Sequence, residues 1–300
     1  MKLLHSLPPY NFAGLEDSDF KSSEFVVLPV PFDNTASFGA GAKDGPHAII
    51  CASRFLELYD HRNKNNPSKR GIFTTDELEP ALGDSKQTVL RIKDAVERVL
   101  DYGKKPIVLG GDHSVAIGCV QGIASKFEDV SVLCFDAHLD CWDELNGNKF
   151  SHACVGTQIS DLTPSISKIK INEVIVGVRS AGANELDFCK KNSIEILYSE
   201  KIRKDSLKKS IEQILKHLKK NVYLTFDFDC LDPSIMPSTG TPEPEGLQFS
   251  TALQIIEEVA KKRRIVGADF CELSPNQNNK HADFLAAKLI YLTIGAIGKD

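Results

Sequence analysis

The sequence has few of the features that mark secreted, membrane or nucleic-acid-binding proteins. Its eight cysteines include no C-x-x-C pair, which argues against a zinc ribbon. The longest apolar stretch, Phe284–Ile297, contains Lys288 and is too short for a membrane span, and the apolar run at the start is too short for a signal peptide. Lys plus Arg (36) and Asp plus Glu (41) leave a net charge of −5, so no basic surface is indicated. We therefore predict a cytoplasmic protein with reduced thiols and without nucleic-acid or membrane partners.

Short apolar, β-branched runs recur along the chain, and helical patterns separate them. Residues 88–102 and 206–219 carry apolar side chains at helical spacing. Several of the apolar runs have no polar face, as expected for strands buried in a parallel sheet. The pattern predicts an α/β fold, and the absence of a linker or repeat predicts a single catalytic domain over residues 1–300. The predicted strands are Glu24–Val30, Pro106–Leu109, Val130–Phe135, Glu173–Val178, Ile194–Leu197, Val222–Phe226 and Arg264–Phe270.

Four of these runs lead directly into residues that can bind a metal or a charged ligand. In parallel α/β sheets such residues meet at the carboxyl edge, where ligands bind. Side chains two apart in an extended chain also point to the same side, so each Asp-x-(Asp/His) pair faces one pocket. The groups are Gly110-Gly111-Asp112-His113-Ser114, Asp136-Ala137-His138-Leu139-Asp140, Asp227-Phe228-Asp229 and Cys271-Glu272.

Each group alone has a simpler explanation. A single Asp after a strand usually forms a turn or caps a helix, and a single His is more often a hydrogen-bonded core residue. Their convergence is harder to explain without cations, because burying several carboxylates together is costly. A ligand set of carboxylates and imidazoles without thiolate favours hard or borderline ions, Mn²⁺ above all, and leaves Fe²⁺, Ni²⁺ and Co²⁺ open. The nearby cysteines are interpreted as small buried apolar groups.

Four segments resemble the ureohydrolase family, which contains arginase and agmatinase. They keep the family's order and span nearly the whole chain, and the last of them is long and specific. We therefore expect the family's three-layer α/β/α fold, arginase-like, with a mostly parallel central sheet and the active site at the carboxyl ends of the strands. The segments are PVPFDNTASFGAGAKDGPHAI (29–49), GGDHS (110–114), FDAHLD (135–140) and LTFDFDCLDPSIMPSTGTPEPEGL (224–247).

The resemblance implies a binuclear manganese centre, a small guanidino substrate and a homo-oligomer, trimeric or hexameric. It implies one ion held by His113, Asp136, Asp140 and Asp229, and a second held by His138, Asp136, Asp227 and Asp229. Asp227 is assigned as bridging, and the ion served by Asp229 is left open. His152 resembles the family's proton-shuttling histidine, and Glu272 its guanidinium-binding carboxylate. Asp140 is expected to accept a hydrogen bond from the attacking water. The products would be urea and an amine.

The substrate's distal end is less well defined by the sequence. The loop after Asp140 contains acids and Trp142 but lacks the Thr/Ser run with which arginase binds an α-carboxylate, so arginase is disfavoured. Agmatine, converted to putrescine and urea, is the predicted substrate, with Asp143, Glu144 or Glu185 as weak candidates to meet its amine. Lys149 and Arg179 leave guanidinobutyrate open, although Arg179 is interpreted as structural. A formimidoylglutamase-like enzyme and a non-catalytic metal-binding relative are also left open.

Other enzyme classes lack their motifs. The Gly-Asn-His-Asp/Glu motif of metallophosphoesterases is missing, as are a P-loop and a Gly-x-Ser-x-Gly elbow. Gly39-Ala-Gly41 is not a dinucleotide fingerprint, because the next glycine, Gly45, comes one residue too late. Asp227-Phe228-Asp229 does not begin an EF-hand, because Leu231 occupies the fifth loop position.

Overall fold

The computed structural model describes residues 6–165 and 171–297, so the apolar start of the chain lies outside the described residues. One eight-stranded sheet, parallel throughout, forms the centre. All seven predicted strands are present. Six of them are buried on both faces, which explains why they read as continuous apolar runs, whereas Glu195–Tyr198 at the border of the sheet is only partly buried. The strands are β1 (Phe25–Pro29), β2 (Ile72–Thr74), β3 (Lys105–Leu109), β4 (Val130–Phe135), β5 (Asn172–Val178), β6 (Glu195–Tyr198), β7 (Asn221–Asp227) and β8 (Arg264–Cys271).

The strand order is β2-β1-β3-β8-β7-β4-β5-β6. The last strand of the sequence, β8, therefore lies between β3 and β7 in the middle of the sheet. As a result, the four strands that precede the candidate ligand groups (β3, β8, β7 and β4) are direct neighbours. Because all of them run in the same direction, their carboxyl ends meet at one edge. The strand that the sequence did not predict, β2, has only three residues and pairs with β1 at the border of the sheet.

Helices cover both faces of the sheet and produce the predicted three layers. Helices α2 to α5 bury one face of the sheet, and α1 with α6 to α9 bury the other. The two predicted helices correspond to α2 and α7. The helices are α1 (Gly45–Ser53), α2 (Ser85–Asp101), α3 (Val115–Ala124), α4 (Val155–Ser165), α5 (Ala183–Asn192), α6 (Ser199–Lys204), α7 (Leu207–His217), α8 (Phe249–Lys262) and α9 (His281–Ile297).

Two helix starts follow directly from side-chain chemistry. The Asp84 carboxylate accepts from the Gln87 amide at the start of α2, and the Ser206 hydroxyl accepts from the Lys209 amide at the start of α7. The apolar stretch at the C-terminal end forms α9, which is buried in the core against α1 and α8. In the described parts of the chain, no helix combines the length and apolarity needed to cross a bilayer.

Candidate metal centre

The four candidate ligand groups lie together at the carboxyl edge of the central strands. A backbone requirement explains the first of them. A side chain on Gly111 would place its Cβ 2.0 Å from the Phe32 carbonyl oxygen, so only glycine permits the chain to pass here. The turn is fixed further by the Asp112 amide, which donates to the same carbonyl at 2.7 Å. This close passage directs His113 inward, where it is buried.

The aspartates of the two Asp-x-(Asp/His) pairs serve two purposes at once. One oxygen of each makes the local turn: Asp136 Oδ1 accepts from the His138 amide at 2.6 Å, and Asp227 Oδ1 accepts from the Asp229 amide at 2.7 Å. The second oxygen of each then faces the site. The turn interpretation and the ligand interpretation are therefore compatible, because a carboxylate has two oxygens.

Three carboxylates surround the ring of His113. Its Nδ1 lies 2.9 Å from Asp140 Oδ2, 3.1 Å from Asp136 Oδ2 and 3.5 Å from Asp227 Oδ2. Asp140 reaches this position with a φ of 50°, a left-handed conformation that Asp tolerates better than most residues. Three ligand groups that are distant in the sequence thus converge on one buried imidazole nitrogen.

A second group surrounds His138, nearer to the surface. Its Nδ1 lies 3.0 Å from Asp229 Oδ2 and 3.5 Å from Asp136 Oδ1. Asp229 therefore lies beside His138, while Asp227 lies beside His113. Asp136 belongs to both groups, since its two oxygens face the two imidazoles. The structure brings all six sequence-predicted ligands together, and their roles as metal ligands stay predictions.

Burial of so many acids perturbs their titration strongly. Burial, together with the charge of Asp229, raises the pKa of Asp227 well above its usual range. Burial and the charge of Asp136 raise the pKa of Asp140 to about 6. Burial alone would lower the pKa of His138, but the hydrogen bonds that its ring donates to Asp136 and Asp229 raise the pKa to about 12. The site holds more negative charge than its two imidazoles can balance.

The donor set fits divalent cations. Asp136 Oδ2 is buried and, despite its short distance to His113, accepts no hydrogen bond of normal geometry from the described residues. Carboxylate oxygens and imidazole nitrogens, without a thiolate, suit Mn²⁺. Cys134 lies close to His113 and Asp136. However, burial raises the pKa of its thiol well above the ordinary value, which favours a neutral thiol at this position.

Glu272 lies beside this cluster with one oxygen engaged. Its Oε1 accepts from the His113 amide at 2.7 Å, and its own amide donates to the Gly111 carbonyl at 2.7 Å. The residue adopts a φ of 67°, which aims its side chain across the strand end. The carboxylate lines a small cavity together with His152, Ser37, Phe38, Gly39, Gly240 and Thr241.

His152 lies at the border between that cavity and a wider one. Its amide donates to Thr35 Oγ1 at 2.9 Å, and its ring nitrogens lie 3.3 Å from Thr35 Oγ1 and 3.2 Å from Ser37 Oγ. Thr35 is itself held by Asp112 Oδ2, which accepts from its hydroxyl at 2.8 Å. The Gly-Gly-Asp-His turn therefore positions His152 through Asp112, a role for which the sequence carried no signal.

The wider cavity, about 490 Å³, opens the site to solvent. Trp142 lines it with half of its surface exposed. Glu185 also lines it, but both of its oxygens are taken by the Cys141 and Gly182 amides. Asp143 and Glu144 are exposed outside the lining. None of the three acids that the sequence offered for a substrate amine is thus both free and in the cavity.

Arg179 is structural, as the sequence analysis expected. Its guanidinium donates to backbone carbonyls of the loop after β7, including Asp229 at 2.7 Å and Glu243 at 2.7 Å. Lys149 is exposed and is not part of the cavity lining. Neither cation is therefore available in the cavity for a substrate carboxylate.

Two buried residues behind the site were not predicted. Thr225 on β7 contacts His113, and Asp269 on β8 contacts Thr225. The signal for Asp269 was present, since it is an acid inside an apolar strand. Thr225 carried none, because threonine is common in strands.

Comparisons with known proteins agree with this geometry. The model of the Arginase family matches residues 23–295. The N(1)-aminopropylagmatine ureohydrolase of Thermus thermophilus is 36% identical over 285 residues, which cover 95% of this chain and 94% of that protein. The agmatinase of Pyrococcus horikoshii is 30% identical over 283 residues, covering 92% and 93%. The solved agmatine ureohydrolase of Thermoplasma volcanium has a TM-score of 0.86 at 30% identity, covering 98% of this chain and 95% of that one. The chain therefore belongs to the arginase family of hydrolases.

Proposed function

We propose that this chain hydrolyses the guanidinium group of agmatine to urea and putrescine, with two Mn²⁺ ions per chain. The observation that carries the proposal is the position of Asp136. Its two oxygens lie within 3.5 Å of two different imidazoles, His113 and His138. A carboxylate between two ligand clusters is the arrangement expected for a bridge in a two-ion centre.

The residues divide between the two ions by proximity. His113, Asp140 and Asp227 would hold the buried ion, and His138 and Asp229 the outer one, with Asp136 shared. Asp227 is also proposed to be shared between the two ions, because its hydrogen bond to the Asp229 amide holds it beside the aspartate assigned to the outer ion. Two such ions, when bound, would lower the pKa of water from 15.7 to about 7 and so supply a nucleophile that the unreactive guanidinium carbon requires.

The remaining groups would orient the substrate and move protons. The Glu272 carboxylate would accept two hydrogen bonds from the planar guanidinium, an arrangement that fixes both its position and its plane. Asp140, partly exposed beside His138 in the wider cavity, would accept a hydrogen bond from the attacking water. His152 borders both cavities and would donate a proton to the leaving amine.

The charges of the cavity support a substrate without a carboxylate. Arg179 is occupied by backbone carbonyls, and the lining contains no Lys or Arg. A carboxylate brought there would lose its hydration without gaining a lysine or arginine partner. This disfavours arginine, guanidinobutyrate and a formimino-glutamate as substrates.

N(1)-aminopropylagmatine is the second candidate. It is supported by the relative from Thermus thermophilus and by the open cavity with an aromatic side chain at its mouth. The face of Trp142 offers a cation–π contact for a second amine, worth about 0.5–1 kcal/mol at an exposed position. Trp142 is the only tryptophan, so its fluorescence reports directly on the mouth. If the aminopropyl group binds against Trp142, saturating N(1)-aminopropylagmatine should change the tryptophan emission more than saturating agmatine does.

Urea release from the Mn²⁺-loaded protein tests the proposal. Agmatine, N(1)-aminopropylagmatine, arginine and guanidinobutyrate should be compared under one set of conditions. We expect kcat/KM for the first two to exceed that for the carboxylate-bearing substrates by about 10²-fold or more. If arginine were turned over as efficiently as agmatine, the conclusion that the cavity disfavours a substrate carboxylate would be wrong. A protein that binds less than one ion per chain and releases no urea would favour a non-catalytic relative.

The oligomeric state and the cytoplasmic location stay predictions, as does a single catalytic domain over residues 1–300. The trimer or hexamer is implied by the family resemblance alone. Size-exclusion chromatography with light scattering measures the assembly directly. A purely monomeric protein would contradict it.

A further inference from the structure

A chain of buried hydrogen bonds runs away from the ring of His113 on the side opposite the carboxylates. His113 Nε2 lies 3.0 Å from Thr225 Oγ1, and Thr225 Oγ1 donates to Asp269 Oδ1 at 2.8 Å. All three side chains are at most 1% exposed. Thr225 on β7 and Asp269 on β8 are direct partners in the sheet register, so the strands themselves set this contact. The hydrogen bonds thus join the turn after β3 to the neighbouring strands β7 and β8 beneath the site.

The direction of the bonds follows from the donor inventory. Asp269 Oδ1 receives both the Thr225 hydroxyl and, at 3.4 Å, the Cys271 thiol, so it acts as an acceptor. A hydroxyl has one proton, and that of Thr225 is directed at Asp269. The Thr225 oxygen must then accept from His113, which places a proton on Nε2. When a cation is bound, one ring nitrogen must be free of a proton, and this contact makes it Nδ1.

Nδ1 is also the atom that faces the acids. It lies within 3.5 Å of carboxylate oxygens of Asp136, Asp140 and Asp227. A 180° flip of the ring would place Cδ2 where Nδ1 lies and Cε1 where Nε2 lies, so a C–H group would point at the metal position. The bond to Thr225 opposes this flip, because the flipped ring would lose its buried partner.

We infer that Thr225 and Asp269 are positioning residues for the buried metal ion, holding the His113 ring with Nδ1 toward the carboxylates. The inference rests on the proposed two-metal function. Neither residue lines the substrate cavities, so they act on the ion only through His113. Partners that orient a ligating histidine typically change metal affinity by 10–100-fold when removed. Asp269 would otherwise be an unexplained cost, since a buried carboxylate in an apolar strand is destabilising.

Two substitutions at one position separate this role from packing. Thr225→Val keeps the shape and removes the hydroxyl, whereas Thr225→Ser keeps the hydroxyl and removes a methyl group. We expect Thr225→Val to weaken binding of one of the two Mn²⁺ ions by about 10–100-fold. Its EPR spectrum should then show isolated rather than exchange-coupled Mn²⁺ at intermediate loading. Thr225→Ser should keep the wild-type affinity and the coupled spectrum.

Asp269→Asn provides a second, independent variant. It should weaken the binding of the same Mn²⁺ ion, because an amide oxygen is a poorer acceptor than a carboxylate oxygen. If both residues act through one hydrogen-bond chain, the variant that combines Thr225→Val with Asp269→Asn should lose no more Mn²⁺ affinity than the more affected of the two single variants. Far-UV circular dichroism of each metal-free variant shows whether it has folded. Should Thr225→Val not fold, the comparison of Asp269→Asn with wild type carries the test.

The outcomes distinguish this inference from the proposed function. A wild-type protein that takes up no Mn²⁺ contradicts both. A wild-type protein that binds two ions, together with Thr225→Val of unchanged affinity, overturns the positioning role and leaves the hydrolase intact. Equal losses in Thr225→Val and Thr225→Ser, or additive losses in the double variant, would also overturn it.

Discussion

At the scale of single residues, Asp136 has the largest predicted effect. Among the described residues, it is the one carboxylate whose oxygens face both imidazoles, so its removal should release both ions. We expect Asp136→Ala to retain less than one Mn²⁺ per chain and to lose more than about 10³-fold in kcat. Metal analysis and urea release measure the two effects. Asp143→Ala is the matched control, because that acid is exposed in the same loop region outside the cavity lining. Full activity in Asp136→Ala would rule out the bridge.

His152 should behave in the opposite way. Its ring contacts Thr35 and Ser37, and no described contact joins it to the six ligands. We expect His152→Ala to keep both ions and to lower kcat by about 10²–10⁴-fold, the usual contribution of general acid catalysis. His61→Ala, on an exposed loop, serves as the control. If the metal content of His152→Ala falls instead, His152 is a ligand rather than a proton donor.

At the scale of elements, the sequence predicted strands better than their arrangement. β1, β3 and β4 are apolar on both faces and were recognisable from composition. β2 was not, since Ile72–Thr74 is too short to show a period. The ligand groups were recognisable because they follow strands. The insertion of β8 between β3 and β7 depends on packing between distant segments, and no local pattern encodes it. Thr225 and the Asp112–Thr35 contact could therefore be assigned only from the structure, whereas Asp269 was visible in the sequence as an acid inside an apolar strand.

Strand β5 holds a further testable group, Glu173. It is buried, and its Oε2 has no hydrogen-bond partner among the described residues. Burial raises its pKa to about 8, from an ordinary value of about 4.5. Between about pH 4.5 and pH 8, Glu173 therefore keeps its proton in the folded state but loses it in the unfolded state. Stability should fall as pH rises from about 4.5 to about 8.

Glu173→Gln should remove that loss, because the amide stays neutral at all these values of pH. The gain in the free energy of unfolding over wild type should be larger at pH 8 than at pH 5. Urea denaturation of both metal-free proteins at the two pH values measures this difference, and titration of other groups cancels in the comparison. Glu195→Gln, a partly exposed acid on β6, is the control. An equal gain at both pH values would contradict a raised pKa for Glu173.

At the scale of the whole molecule, the fold places a surplus of negative charge at its centre. Four aspartates converge on two histidines at the carboxyl edge of the central strands. Helices pack on both faces of the sheet that these strands form. This charge opposes folding in the absence of cations. Ions that bind only the folded state should therefore stabilise the entire domain, by about 2.7 kcal/mol for each ion when free Mn²⁺ is 100 times the dissociation constant of that site.

Removing the metal with a chelator should accordingly lower the urea midpoint of unfolding, and adding Mn²⁺ should restore it. The change in midpoint should occur without a change in m, because the surface buried by folding stays the same. Mn²⁺ also binds weakly to exposed acids, of which this acidic chain has many, so a shift alone is not specific. Asp136→Ala separates the two sources: its acidic surface is unchanged, but its central site is broken. A Mn²⁺-dependent shift of the same size in Asp136→Ala would place the stabilising ions on the surface and contradict a metal centre at the strand ends.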